Sequence, residues 1–406
     1  MTSARARGIA IAGALAVAWV VAALVLSRTA VPDDLALPTV DVDAVFGAEL
    51  VARAERYRRF LYVDWVLAEA ALLVTLAVYA KRGACLVRES AAGPIGTGML
   101  LGMIGLGLAW VVRLPFSAAA LWWERRHGLS SRGYVDVLVD GWLGLAGTFL
   151  GLSLALLVLM ALARRLGSWW WLPGSFVLAS VAAALVLVQP YLTPGLEPVD
   201  SPRVERAYEH FRSAQGVGDV PLRVQRVSGQ TSLANAYAFG IGPSRRVVLW
   251  DTLLDGRFTG REVDVVLAHE LGHHSSDHIP KAIAWFTLFA VPGAFVLMLA
   301  TRGRGGMGEP AAIPLALLVV AVLQLVATPA QNLVSRRMEA EADWKALQTT
   351  RDPTAARGLF RELAATSLGD PSPPRWAQLL FGSHPTLADR VAMADAWAAR
   401  RPAESR

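Results

Sequence analysis

The chain has 406 residues, of which 54% are hydrophobic and only 18% charged, a composition too apolar for an ordinary soluble protein. Its formal net charge of +6 is spread over short stretches and not gathered in a basic stripe with interleaved aromatics, which argues against a nucleic-acid partner. The single cysteine, Cys85, excludes an intrachain disulfide and a cysteine-rich metal site, so any metal must be held by histidines and carboxylates.

Apolar runs of the roughly 18–20 residues needed to cross hydrocarbon as helices occur at about 8–26, 94–112, 142–163, 172–189, 283–300 and 311–330. A seventh, around 60–80, contains Asp64 and Glu69; the cost of a carboxylate in lipid predicts that this span lines a polar cavity. The first run follows Arg5 and Arg7 and is long for a signal peptide, so it is read as a retained helix. The expected class is a predominantly α-helical, multi-pass protein of the cell membrane, with about seven transmembrane helices.

Between the fifth and sixth runs the composition turns polar. Residues 203–216 have helical periodicity, 221–227 alternate as a strand does, 246–250 form a short apolar run, and 261–278 read as a helix, together a small α+β module. A helical stretch at 332–350, a Pro-rich segment at 371–374 and a final helix near 385–400 follow the last apolar run. The chain therefore divides into a membrane region of five spans at 1–190, a module at 191–280, a two-helix hairpin at 281–331, and the module's remainder at 332–406.

Short basic connections, with Arg5 and Arg7, Lys81, Arg82 and Arg88, Arg164 and Arg165, and Arg302 and Arg304, fall on one side of the spans. The positive-inside rule assigns that side to the cytoplasm and the polar module to the opposite face.

The segment from Val265 to His273 contains His269-Glu270-Leu-Gly-His273, an H-E-x-x-H pattern on an amphipathic helix, where residues four apart share a face. Two imidazoles and one carboxylate suit a single Zn2+ with a fourth position open for water, whose pKa the metal lowers. Glu270, next to the first ligand, is then the general base. The third ligand is expected on a second helix, in the stretch Met338-Glu339-Ala-Glu341-Ala-Asp343. Glu339 and Asp343 share a face, so one can bind the metal while the other supports a ligand histidine through its free ring N–H. Glu341 points elsewhere and is expected to face solvent, and His274 and His278 are read as structural or surface residues.

Several segments extend the pattern beyond the metal motif. They are Glu124-Arg-Arg-His-Gly-Leu-Ser130, Asn235-Ala-Tyr-Ala-Phe-Gly with Arg246-Val-Val-Leu-Trp, Ser335-Arg-Arg-Met-Glu339 with Asp343, and Ser383-His384-Pro-Thr-Leu-Ala-Asp-Arg390. In order and spacing these resemble the type I CAAX prenyl proteases, membrane-embedded zinc peptidases related to the heat-shock membrane metalloproteases.

The resemblance implies seven membrane helices enclosing a water-filled chamber, with Asp64 and Glu69 facing it and a zinc metalloprotease module on its wall. It implies that Glu339 is the third zinc ligand, that Asn235 lies by an edge strand that pairs with substrate, that His384 assists the tetrahedral intermediate, and that Arg390 holds the C-terminal segment near the site as part of the substrate-binding set. It further implies one zinc per chain and a peptide or protein substrate, membrane-associated or lipidated. In eukaryotic relatives the catalytic side faces the cytosol, against the charge-based orientation. Two other readings stand beside it: a quality-control protease for membrane proteins with the same chemistry, and a catalytically silent scaffold or transporter, against which the intact Glu270 argues.

Overall fold

A computed structural model describes Gly13 and residues 16–86 and 93–404. In chain order the helices are α1 (Ala16–Leu26), α2 (Val42–Phe46), α3 (Ala48–Arg82), α4 (Gly93–Arg126), α5 (Tyr134–Leu166) and α6 (Trp171–Leu192). The polar module follows with β1 (Leu196–Glu197), α7 (Pro202–Ala214), β2 (Leu222–Gln225), β3 (Ala236–Phe239), β4 (Arg246–Trp250) and α8 (Gly260–Ser275). The chain ends with α9 (His278–Thr301), α10 (Ile313–Thr350), α11 (Pro353–Ser367), α12 (Arg375–Phe381) and α13 (Leu387–Glu404).

Six of the described helices are long and apolar enough to cross a membrane: α3, α4, the Gly151–Trp169 segment, α6, α9 with its 3-10 extension, and Pro310–Thr350. The protein is a multi-pass membrane protein. The remaining expected span, 8–26, is described only over Ala16–Leu26, and its first residues, with Arg5, Arg7 and Arg88, lie outside the described residues. Many large apolar side chains of these helices, among them Val74, Val111, Leu185 and Val326, stay exposed on the protein, as lipid-facing residues do. Glu69 is not left bare in its span: Arg113 of the neighbouring helix α4 pairs with it, which removes much of the cost of an isolated charge there.

The four strands form one sheet in the order β1-β2-β4-β3, with β2 and β4 parallel and the outer pairs antiparallel. β3 is an edge, so among the described residues no strand pairs with its outer side. One hydrophobic core joins α7, the sheet, α8, the C-terminal half of α10 and helices α11 and α13, through Tyr208, Val247, Leu249, Leu267, Leu271, Trp344 and Phe360. A separate core of Leu101, Met160, Trp170, Met298 and Ile313 packs the membrane helices.

The basic groups stand at both ends of the spans. Arg164 hydrogen-bonds Gly308 O and shares a cavity of about 480 Å3 with Arg302, so those basic connections do lie at one end. The opposite end is basic as well. Arg58 lies with His384 at one cavity, and Arg125 and Arg126 end α4 beside the start of α3, where Trp123 Nε1 donates to Tyr57 O. With arginines at both ends, the positive-inside rule does not choose a catalytic face.

Candidate functional site

Helix α8 opens with a capping box, in which Thr259 accepts from Glu262 N and Glu262 accepts from Thr259 N. From that fixed start the 3.6-residue repeat carries His269 and His273 to the face that meets α10. The two helices touch at Gly272. A Cβ there would lie 3.2 Å from Ala342 Cα and 3.3 Å from its carbonyl oxygen, so glycine is what allows this approach. α10 in turn presents Glu339 and Asp343, one turn apart, to the histidines.

The ligand atoms of His269, His273 and Glu339 lie within 4.8 Å of one another. His269 Nε2 is 3.1 Å from His273 Nε2 and 3.3 Å from Glu339 Oε2. Glu339 Oε2 is buried and has no hydrogen-bond partner, although imidazole nitrogens surround it. Three electron-pair donors converging on a point, one a buried carboxylate oxygen without a proton to accept, are what a borderline-soft cation requires, so the donor set fits zinc.

Asp343 Oδ1 lies 2.9 Å from His269 Nδ1, and Arg390 grips the same carboxylate, Nε to Oδ2 at 2.8 Å and Nη2 to Oδ1 at 2.6 Å. This fixes the proton of His269 on Nδ1 and leaves Nε2 to face the cluster. Arg390 also lies over the Phe360 ring. Its guanidinium is thus engaged by Asp343 and Phe360. His384 Nε2 stands 3.2 Å from Glu339 Oε2, and its segment is fastened by Gln378, which donates to His384 O, and by Arg336, which donates to Gln378 O and Gly382 O.

Taken among the protein groups alone, burial works against charge on the two cluster imidazoles, His269 and His273. At His269 the carboxylates of Asp343 and Glu339 outweigh it and hold the pKa up at about 10, whereas burial pushes His273 down to about 3. Burial also pushes Glu270 up to about 7, against the opposing pull of the Ala238 backbone N–H in edge strand β3. Asn235, exposed, immediately precedes that strand. The Glu124–Ser130 stretch docks on the loop leading to it: Thr231 and Ser232 hydroxyls donate to Leu129 O and Gly128 O, and Ser130 forms a bridge with Thr231.

Two expectations fail here. Glu341 does not face solvent; it is 5% exposed and accepts from Ala30 N at 2.8 Å and from His278 Nε2 at 3.0 Å. The helix expected to run through 278 ends at Ser275, and His278 begins the next one. His274, as expected of a structural residue, is buried with its Nε2 at Arg246 O.

A membrane-spanning helical body carrying a His-His-Glu cluster, with a further glutamate beside the first histidine, defines the class of membrane metallopeptidases. The family model described as Peptidase family M48 matches residues 198–398, and the chain belongs to that family. It is 30% identical over 279 residues to "Uncharacterized metalloprotease YhfN" of Bacillus subtilis (strain 168), covering 64% of this chain and 63% of that protein, so it spans just under two thirds of that relative's length. It is 26% identical over 305 residues to "CAAX prenyl protease 1 homolog" of Arabidopsis thaliana, covering 70% of each. Its fold is that of the crystal structure of S. mikatae Ste24p, with a TM-score of 0.68 at 17% identity, covering 93% of this chain and 96% of that one.

Proposed function

We propose that the chain is an integral membrane zinc metalloendopeptidase resembling the CAAX prenyl proteases, with His269, His273 and Glu339 as ligands of one zinc per chain. The observation that carries this reading is the convergence of those three donors, within 4.8 Å, beside the buried carboxylate of Glu270 on the same helix. The catalytic module is assembled from 191–280 and 332–406, with the 281–331 hairpin inserted between them.

When bound, zinc supplies a Lewis acid that polarises a carbonyl and acidifies water. The chain's own groups do the rest. Glu270, buried beside the first ligand histidine, takes a proton from the attacking water and returns it to the leaving amine. The unpaired edge of β3 aligns an extended peptide by backbone hydrogen bonds, with Asn235 at its entrance. His384, standing beside Glu339, donates its N–H toward the oxyanion as it forms. Asp343 and Arg390 keep His269 in its ligand tautomer. The same chemistry serves a lipidated peptide or a damaged membrane protein, and the substrate is drawn from one of these classes.

The test is cleavage of a matched pair of peptides, one farnesylated at a CAAX cysteine and one not, by the detergent-purified protein. Preference for the prenylated peptide supports the CAAX-type reading, and equal cleavage of both moves it to a general membrane-protein degrader. Cleavage of neither by zinc-loaded protein, with any other peptide also untouched, contradicts the endopeptidase reading.

A further inference from the structure

His273 has a partner that no ligand spacing announces. Its Nδ1 lies 2.9 Å from Nδ1 of His278, the first residue of α9, and Nε2 of His278 lies 3.0 Å from Glu341 Oε2. Both outer groups are buried, His278 at 3% and Glu341 at 5% exposure. The second oxygen of Glu341 accepts the backbone N–H of Ala30 at 2.8 Å, in the segment after α1, and Lys281 Nζ stands 3.8 Å from the first.

In an unbroken helix residues five apart point about 140° away from each other, so His278 would not meet His273. The break does it. Asp277 adopts the left-handed region at φ 54°, a conformation that few non-glycine residues other than Asp and Asn take readily, and the chain re-enters helix with His278 turned back over His273.

The protons in this row have one consistent arrangement. For His273 to offer Nε2 to a cation, its proton must sit on Nδ1. The facing Nδ1 of His278 must then accept, which leaves the His278 proton on Nε2, where Glu341 accepts it. A carboxylate at one end and a ligand nitrogen at the other therefore fix every tautomer between them.

We propose that His278 and Glu341 are positioning residues that hold His273 in its metal-binding tautomer and orientation, and that through Ala30 they tie this ligand to the segment following α1. The inference rests on the metal-centre reading above. Asp343 does the same for His269 by direct contact; His273 is served at one remove, through a second imidazole.

The experiment uses the full chain in detergent and reads zinc affinity by competition with a chromophoric chelator, and the visible spectrum of the cobalt(II)-substituted protein. His278→Asn keeps an amide oxygen near the Nδ1 position, able to accept from His273. His278→Gln reaches only the Nε2 position and leaves the His273 N–H unmet. Loss of an outer partner of this kind weakens metal binding by about 10–100-fold, so the Gln variant should bind zinc that much more weakly and shift the cobalt bands. The Asn variant should stay within about threefold of wild type, well short of that loss. Glu341→Gln, which leaves the His278 imidazole in place and drops the charge, should also weaken zinc and shift the bands, which keeps the test open if a position 278 variant fails to fold. Variants at both positions that bind zinc as wild type does, with unchanged cobalt spectra, overturn the inference while leaving the metal centre standing. A wild-type chain that takes up no zinc overturns the metal-centre reading and this one together.

Discussion

Changing Asp343 to asparagine preserves shape and removes the charge on which His269 and Arg390 both converge. Arg390 reaches that carboxylate through two hydrogen bonds of 2.8 and 2.6 Å, with side chains 11% and 5% exposed, so water replaces little of what is lost. Removing one member of a buried ion pair costs roughly 3–5 kcal/mol; the nearby carboxylates of Glu339 and Glu270, which also act on Arg390, favour the lower end. The asparagine also has one acceptor oxygen where the carboxylate has two: with that oxygen at the imidazole its NH2 meets the Arg390 Nε–H, donor against donor, so it cannot satisfy all three donors. Thermal inactivation of the detergent-solubilised protein should therefore move sharply down, and zinc affinity should fall by about 10–100-fold. Adding Arg390→Met removes the orphaned cation and should return about 1–3 kcal/mol of the lost stability, the size of coupling expected for contacting residues, without restoring zinc affinity. Strictly additive costs, or an Asp343→Asn protein with wild-type stability and zinc affinity, would refute the reasoning.

Because burial pushes Glu270 up to about 7 and only its ionised form can take a proton, kcat/KM should climb as pH rises toward neutrality and level off above it. A bound dication can only lower that midpoint, so a rate that falls between about pH 5 and 7 speaks against Glu270 as the base. Gly272→Val pushes side-chain atoms against the Ala342 backbone, which has no flexible end to yield, and should cost about 1–3 kcal/mol as overpacking does. It should loosen zinc as well, by separating α8 from α10; a variant with unaltered zinc affinity would mean that this approach does not set the cluster's geometry.

The parts legible in the sequence were those that follow from period and length. Over the described residues the apolar runs became helices, the 221–227 alternation became β2, and the spacing of His269 and His273 on one helix followed from 3.6 residues per turn. Glu339 and Asp343 were readable as a pair for the same reason. Glu341 was not, because helical phase told only that it leaves the Glu339 face; it could not reveal that the segment around Ala30, over 300 residues away in sequence, covers the other side. His278 escaped because a single left-handed residue, Asp277, reset the helical phase, and nothing in the residue type at that position compelled it. The Ala238 N–H beside Glu270 carries no signature at all, since any residue supplies a backbone amide. Charge was legible only for the loops: the arginines of α3 and α4 at the other end became comparable once the helix ends were located.

The most direct measurement is peptide cleavage by Glu270→Gln alongside zinc analysis of the same preparation. The account predicts that this variant, isosteric and remote from the three donor atoms' own bonds, retains one zinc per chain and loses turnover by several orders of magnitude, on the order of 10²–10⁴ for the loss of a general base. A zinc-loaded Glu270→Gln protein that cleaves at near the wild-type rate would contradict it.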